Sequence, residues 1–178
     1  VDSEEAKAEY RALAMEAFSQ GIDSDNNDPV VWAQLGLLSL AESDSKKAEV
    51  CFRTAIHKNR TILAAWVNLG LAMQLANVPS EACAMYVKAL SAFRDSHEIY
   101  NNIGNLYRHL GKYDEALVSY QACLNIKEDY AIAHNNVGLL FTARGRLDDA
   151  AASLSKALSL DPGLDCAKSN LIKVKELQ

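Results

Sequence analysis

Glycine and proline are scarce in this 178-residue chain, at eight and three residues, and aromatic residues make up only 7%. Those counts exclude collagen-like chains, and with only four cysteines disulfide-dense ones fail as well. The four cysteines, Cys51, Cys83, Cys123 and Cys166, form no CxxC pair, so the usual signatures of zinc ribbons and thioredoxin-like redox sites are missing. Each lies among helix-forming residues, where a free thiol behaves as a small hydrophobe. No apolar run approaches the roughly 18 residues that a membrane-spanning helix needs, and no membrane partner is expected. The chain opens Val1-Asp2-Ser3-Glu4-Glu5, with no initiator methionine, basic leader or apolar signal core. It reads as an excised or processed piece. What is present is a hydrophobic content of 49% beside 23% charged residues, enough apolar side chain to bury a core.

Charge is spread unevenly. Residues 1–28 carry eight acids against Lys7 and Arg11, whereas the rest of the chain is nearly balanced within an overall formal charge of −5. Neither part supplies the basic stripe that nucleic-acid phosphates require, so nucleic acid is not an expected partner. Reduced thiols and the lack of a signal make the cytoplasm or nucleus the expected compartment.

The pattern that organises the chain is a repeat. Trp32, Trp66, Tyr100 and His134 follow one another at intervals of 34 residues. Three positions after each stands an aliphatic residue (Leu35, Leu69, Ile103, Val137), and one further stands Gly36, Gly70, Gly104 or Gly138. At +16 comes alanine (Ala48, Ala82, Ala116, Ala150), and at +20 come Phe52, Tyr86, Tyr120 and Leu154. At +23 stand Ala55, Ala89, Cys123 and Ala157. Offsets of 0, +3, +4 and +7 share one face of a helix, and +16, +20 and +23 share one face of a second. Between them lie Ser43, Asn77, Gly111 and Gly145, suited to a left-handed residue that ends the first helix. Pro79 stands where a second helix would begin. Each unit is a helical hairpin that cannot bury its apolar face alone, so neighbours must stack.

These residues resemble the tetratricopeptide repeat (TPR) family, most fully in His134, Val137, Gly138, Phe141, Ala150, Leu154, Ala157 and Pro162. Ser39 and Met73 depart from the family's tyrosine, and only the last repeat keeps the terminal proline. The resemblance implies an all-α fold, a right-handed superhelical solenoid of antiparallel helix pairs. The expected organisation is a partial unit over residues 1–28, with a helix over 3–21, then repeats over 29–62, 63–96, 97–130 and 131–164. A closing helix is expected over 165–178. The acidic half-repeat points to a natural protein that continues upstream.

Offsets −2, +2, +5 and +9 of the first helices form the stripe opposite the packing face. It is poorly charged, holding Leu37, Leu71, Leu75, Asn105, His109 and Leu139 with Glu98 as its one charged member, and Arg108 stands beside it. An apolar face that packing does not use is a candidate interaction surface. At +2 the series runs Gln34, Asn68, Asn102 and Asn136, continued by Asn170. A carboxamide offers both donors and acceptors, so it can pair with a peptide backbone. It can equally bond between adjacent helices and stiffen the stack. The series resembles the asparagine ladder in the TPR superhelix of O-GlcNAc transferase, which implies a grip on the backbone of an extended polypeptide. The resemblance carries over to Asn68, Asn102, Asn136 and Asn170, and less well to Gln34; none of that enzyme's catalytic region occurs in this chain. The paired Lys and Arg of TPR carboxylate clamps are missing, because the +1 residues are Ala33, Val67, Asn101 and Asn135.

No histidine pair, carboxylate–histidine cluster or phosphate-binding glycine loop stands at a readable spacing. No catalytic residue, metal or cofactor is therefore expected. The expected function is a non-catalytic protein–protein interaction module that binds an extended segment of a partner. Alternatives are a scaffold packed against folded subunits, a self-associating unit, or the targeting region of a larger enzyme.

Overall fold

The structure, a computed structural model, describes residues 28–178. The helix expected over residues 3–21 lies outside the described residues. Nine helices make up the architecture of the described residues, with no strand among them. They are α1 (Pro29–Ala41), α2 (Ser45–Lys58), α3 (Leu63–Leu75), α4 (Pro79–Ala92), α5 (His97–His109), α6 (Tyr113–Ile126), α7 (Ala131–Ala143), α8 (Leu147–Leu160) and α9 (Asp165–Leu177). The first helix of each pair begins 34 residues after its predecessor, at 29, 63, 97, 131 and 165.

One local device ends α1, α3, α5 and α7. Ser43, Asn77, Gly111 and Gly145 adopt positive φ, at 61°, 59°, 72° and 71°. The amide of the following residue then bonds back five positions: Asp44 to Ser39, Val78 to Met73, Lys112 to Tyr107 and Arg146 to Phe141, each at 2.9–3.0 Å. This is the Schellman closure, which satisfies orphan carbonyls and turns the chain sharply. Pro79 occupies the first turn of α4, where its missing N–H costs nothing. Asp28 and Asp44 cap α1 and α2 through their side chains, accepting from the amides of Val30 and Lys47.

The described residues divide into two compact units that part between Arg94 and Asp95. In the first, α1 packs on α2 and α3 on α4, while α2 and α1 both meet α3. Its core holds Phe52, Trp66, Leu69, Met73 and Tyr86 among fully buried alanines, including Ala48, Ala55, Ala82 and Ala89. Burial of a large apolar side chain contributes roughly 1.5–3 kcal/mol. Ser39, where the family has tyrosine, is fully buried, and its hydroxyl donates to the Leu35 carbonyl at 2.9 Å.

The second unit repeats the arrangement through α5–α6 and α7–α8, with α9 packed on α8 and α7. Ala116, Tyr120, Val137 and Leu140 form one cluster. Ala150, Leu154, Ala157, Ala167 and Val174 form the next. Lys168, Lys173, Lys175 and Glu176 of α9 are exposed. So is Ile172, which occupies the glycine register position of the earlier helices.

The glycine at +4 sets the spacing within each hairpin. A Cβ on Gly36 would stand 2.6 Å from the Phe52 ring, and one on Gly104 would stand 2.5 Å from that of Tyr120. Glycine is needed there because the +20 side chain lies directly on the helix backbone.

Candidate functional site

In the first unit, the stripe left over from packing is largely solvent-facing. On α1 it shows Val30, 51% exposed, and Leu37, 39% exposed, with Gln34 exposed between them. On α3 it shows Leu71 at 40% and Leu75 at 62%, with Asn68 half-buried. Because α1 and α3 are neighbours, these side chains form one apolar surface bearing two carboxamides. Neither Gln34 nor Asn68 makes a side-chain hydrogen bond among the described residues.

The second unit treats its amides differently. The Asn136 side-chain amide donates to Asn101 Oδ1 at 2.9 Å, and that of Asn170 donates to Asn135 Oδ1 at 2.9 Å. Asn135 Nδ2 lies 3.5 Å from Asn136 Oδ1. The four carboxamides thus run as a relay from α9 through α7 to α5. Asn101, Asn135 and Asn136 are buried, and buried amides demand partners because leaving one unmet costs about 1–3 kcal/mol.

The +2 series is therefore not uniform. Asn136 and Asn170 bond between helices, whereas Asn102 is half-buried and makes no side-chain hydrogen bond among the described residues. Leu139 is half-buried on α7 beside the exposed Ile132. The sequence pattern missed Asn101 and Asn135 as structural partners. Their signal was the doublet Asn101-Asn102 recurring as Asn135-Asn136.

A second polar device ties each buried tyrosine to the helix before it. The Tyr86 hydroxyl donates to Gln74 Oε1 at 3.1 Å, and the Tyr120 hydroxyl donates to Asn105 Oδ1 at 2.7 Å. Burial pushes the Tyr120 phenol up to about 12 despite the nearby Arg108. Asn105 is thus engaged inside its own hairpin. Arg108 keeps Nε buried without a partner among the described residues. Its Nη2 lies 3.5 Å from the ring nitrogen of His109. Desolvation, and then the Arg108 charge, hold the His109 imidazole below its ordinary range.

In two of the repeats the large residue at offset 0 has the same polar role, whereas Trp32 Nε1 is buried without a partner among the described residues. Trp66 Nε1 donates to the Arg60 carbonyl at 3.0 Å, and His134 Nε2 lies 2.9 Å from the Glu128 carbonyl. Each partner lies six residues upstream, so His134 takes the place of tryptophan as a ring that closes the inter-hairpin loop. Among the described residues no cluster of three or more His, Cys, Asp or Glu could hold a metal ion. None of the described helices is long and apolar enough to cross a membrane.

A family model described as tetratricopeptide repeat matches residues 61–129 and 95–162. Comparison with curated proteins finds no match. Among solved structures, TTC0263, a thermophilic TPR protein of Thermus thermophilus, superposes with a TM-score of 0.81 at 19% identity, covering 93% of this chain and 91% of that one. The structure of the APC/C hetero-tetramer Cut9–Hcn1 gives 0.81 at 16% identity over 94% of this chain and 34% of the matched chain. YrrB, a TPR protein with an unusual peptide-binding site, gives 0.61 at 21% identity over 92% and 84%. At these identities the likeness is one of fold. TPR folds serve as protein–protein interaction modules and are generally non-catalytic. With the family model spanning more than half of its length, and with the helical pairs and glycine–ring contacts described above, this chain belongs to the tetratricopeptide repeat family.

Proposed function

We propose that this chain is a non-catalytic interaction module that holds an extended segment of a partner protein along the open face of α1 and α3 in its first unit. The observation that carries this reading is the α1–α3 surface. Leu37, Leu71 and Leu75 are exposed there beside Gln34 and Asn68, whose carboxamides have no partner among the described residues. Apolar side chains of the segment pack against the leucines, and its backbone pairs with the amides. In the second unit Asn102 takes the same role, while Asn136 and Asn170 hold the helices in place. YrrB, of the same fold, is described as having an unusual peptide-binding site, in line with peptide capture by this architecture.

The test uses peptides selected from a random library against the immobilised chain, followed by methyl chemical-shift mapping. The expected result is perturbation of Leu37, Leu71 and Leu75, with Val50 and Val118 unmoved. Perturbation confined to Val50 or Val118 overturns the reading.

A further inference from the structure

A hollow of about 500 Å³ lies between α2 and α4, wholly within the first unit. Its apolar lining includes Ile56, Trp66 and Met85, and its polar lining includes Arg53, His57, Arg60 and Lys88. No acidic residue lines it. Glu49 holds Arg53 at 2.9 Å, and neither Arg60 nor Lys88 forms an ion pair among the described residues. None of these residues belongs to the α1–α3 stripe.

The second unit contains an internal control. A hollow of about 610 Å³ is lined there by Gln121, Leu124, Asn125, Glu128 and His134. These stand 68 residues, or two repeats, after Arg53, Ile56, His57, Arg60 and Trp66. The hollow is thus a product of repeat geometry, but its charge is not: Arg53, His57 and Arg60 become Gln121, Asn125 and Glu128. Folding does not require the basic side chains, and a chain of net charge −5 gathers them at this place.

We propose that the groove between α2 and α4 binds an acidic segment of a partner protein. An apolar side chain of the segment enters the hollow over Ile56, Trp66 and Met85, and flanking carboxylates pair with Arg60, Lys88 and Arg53. Guanidinium groups suit this task because they meet carboxylates through two parallel hydrogen bonds. The site is a compact basic rim around an apolar floor, not the extended basic stripe that tracks nucleic-acid phosphates. It is separate from the face assigned to extended-segment binding.

The test measures fluorescence anisotropy of a labelled peptide, Glu-Asp-Leu-Asp-Glu-Phe-Glu-Asp, against its counterpart with Gln and Asn for every acid. The acidic peptide is expected to bind at least tenfold more tightly, with affinity falling as salt is added. The triple variant Arg53→Gln, His57→Asn, Arg60→Glu carries the residues of the second unit, so it should fold, and it should lose at least tenfold in affinity. Lys88→Glu, on an exposed position, provides an independent variant expected to weaken binding as well. Equal binding of the two peptides, or undiminished binding by folded variants, overturns the proposal. So does a single-stranded oligonucleotide that binds the groove more tightly than the peptide.

Discussion

Asn136 on α7 donates its side-chain amide to Asn101 on α5, 35 residues earlier in the chain, at 2.9 Å. The contact sits one position away from the 34-residue register, so it joins the +2 residue of one repeat to the +1 residue of the repeat before. Through Asn135, the same relay reaches Asn170 on α9.

Asn136→Ala should therefore lower stability by about 1–3 kcal/mol, because it strands the buried amides of Asn101 and Asn135. Asn102→Ala, at a residue without such bonds, should change stability by less than about 0.5 kcal/mol. Thermal melting of the two variants beside the wild type checks the contrast. A double cycle of Asn136 and Asn101 should give a coupling energy above roughly 0.5 kcal/mol.

Tyr86 and Gln74 form a hydrogen-bonded pair, and the residues at their positions one repeat earlier are the apolar Phe52 and Leu40. Tyr86→Phe alone should cost about 0.5–1.5 kcal/mol, since it removes the hydroxyl from a part-buried amide. Adding Gln74→Leu copies the first repeat and should recover most of the loss. Denaturant unfolding of the single and double variants measures both.

Two kinds of glycine should respond differently to alanine. At Gly104 the new methyl meets the Tyr120 ring at 2.5 Å, and overpacking of this kind costs about 1–3 kcal/mol. At Gly111 nothing stands within 4 Å, but φ is +72°, so the cost is conformational, about 1 kcal/mol. In a Tyr120→Ala background the first cost should shrink and the second should not; leucine would not serve, because Leu154 Cγ stands 2.6 Å from the Cβ position on Gly138.

Burial pushes the Cys123 thiol up from 9.0 to about 11, against a small opposing pull from Lys127. The folded state thus favours the neutral thiol. The resulting stability is fully present below pH 9.0 and is lost as pH rises from there through about 11. At pH 8, a thiol reagent should label exposed Cys166 rapidly and the buried Cys51 and Cys123 only on unfolding. Mass spectrometry of the labelled sites checks this order.

The fold was legible because its determinants are local and periodic. Gly36, Gly70, Gly104 and Gly138 meet the +20 side chain in every hairpin, and Ser43, Asn77, Gly111 and Gly145 all take the left-handed conformation. The site was legible only as a stripe. Periodicity puts Asn68, Asn102, Asn136 and Asn170 on one side of their helices, but it carries no information about which amides reach a neighbour. Asn136 and Asn170 turn to Asn101 and Asn135, one residue off register. The basic rim of Arg53, Arg60 and Lys88 was equally hidden, since it is assembled from α2, the loop after it and α4.

The central claim is that the open amides bind a partner while the bonded ones hold the helices. The most direct measurement is the affinity of a library-selected peptide for Asn68→Ala, with melting followed in parallel. The account predicts a three- to tenfold loss of affinity, equivalent to about 0.6–1.4 kcal/mol, at an unchanged melting temperature. Full affinity in a variant that melts earlier would contradict it.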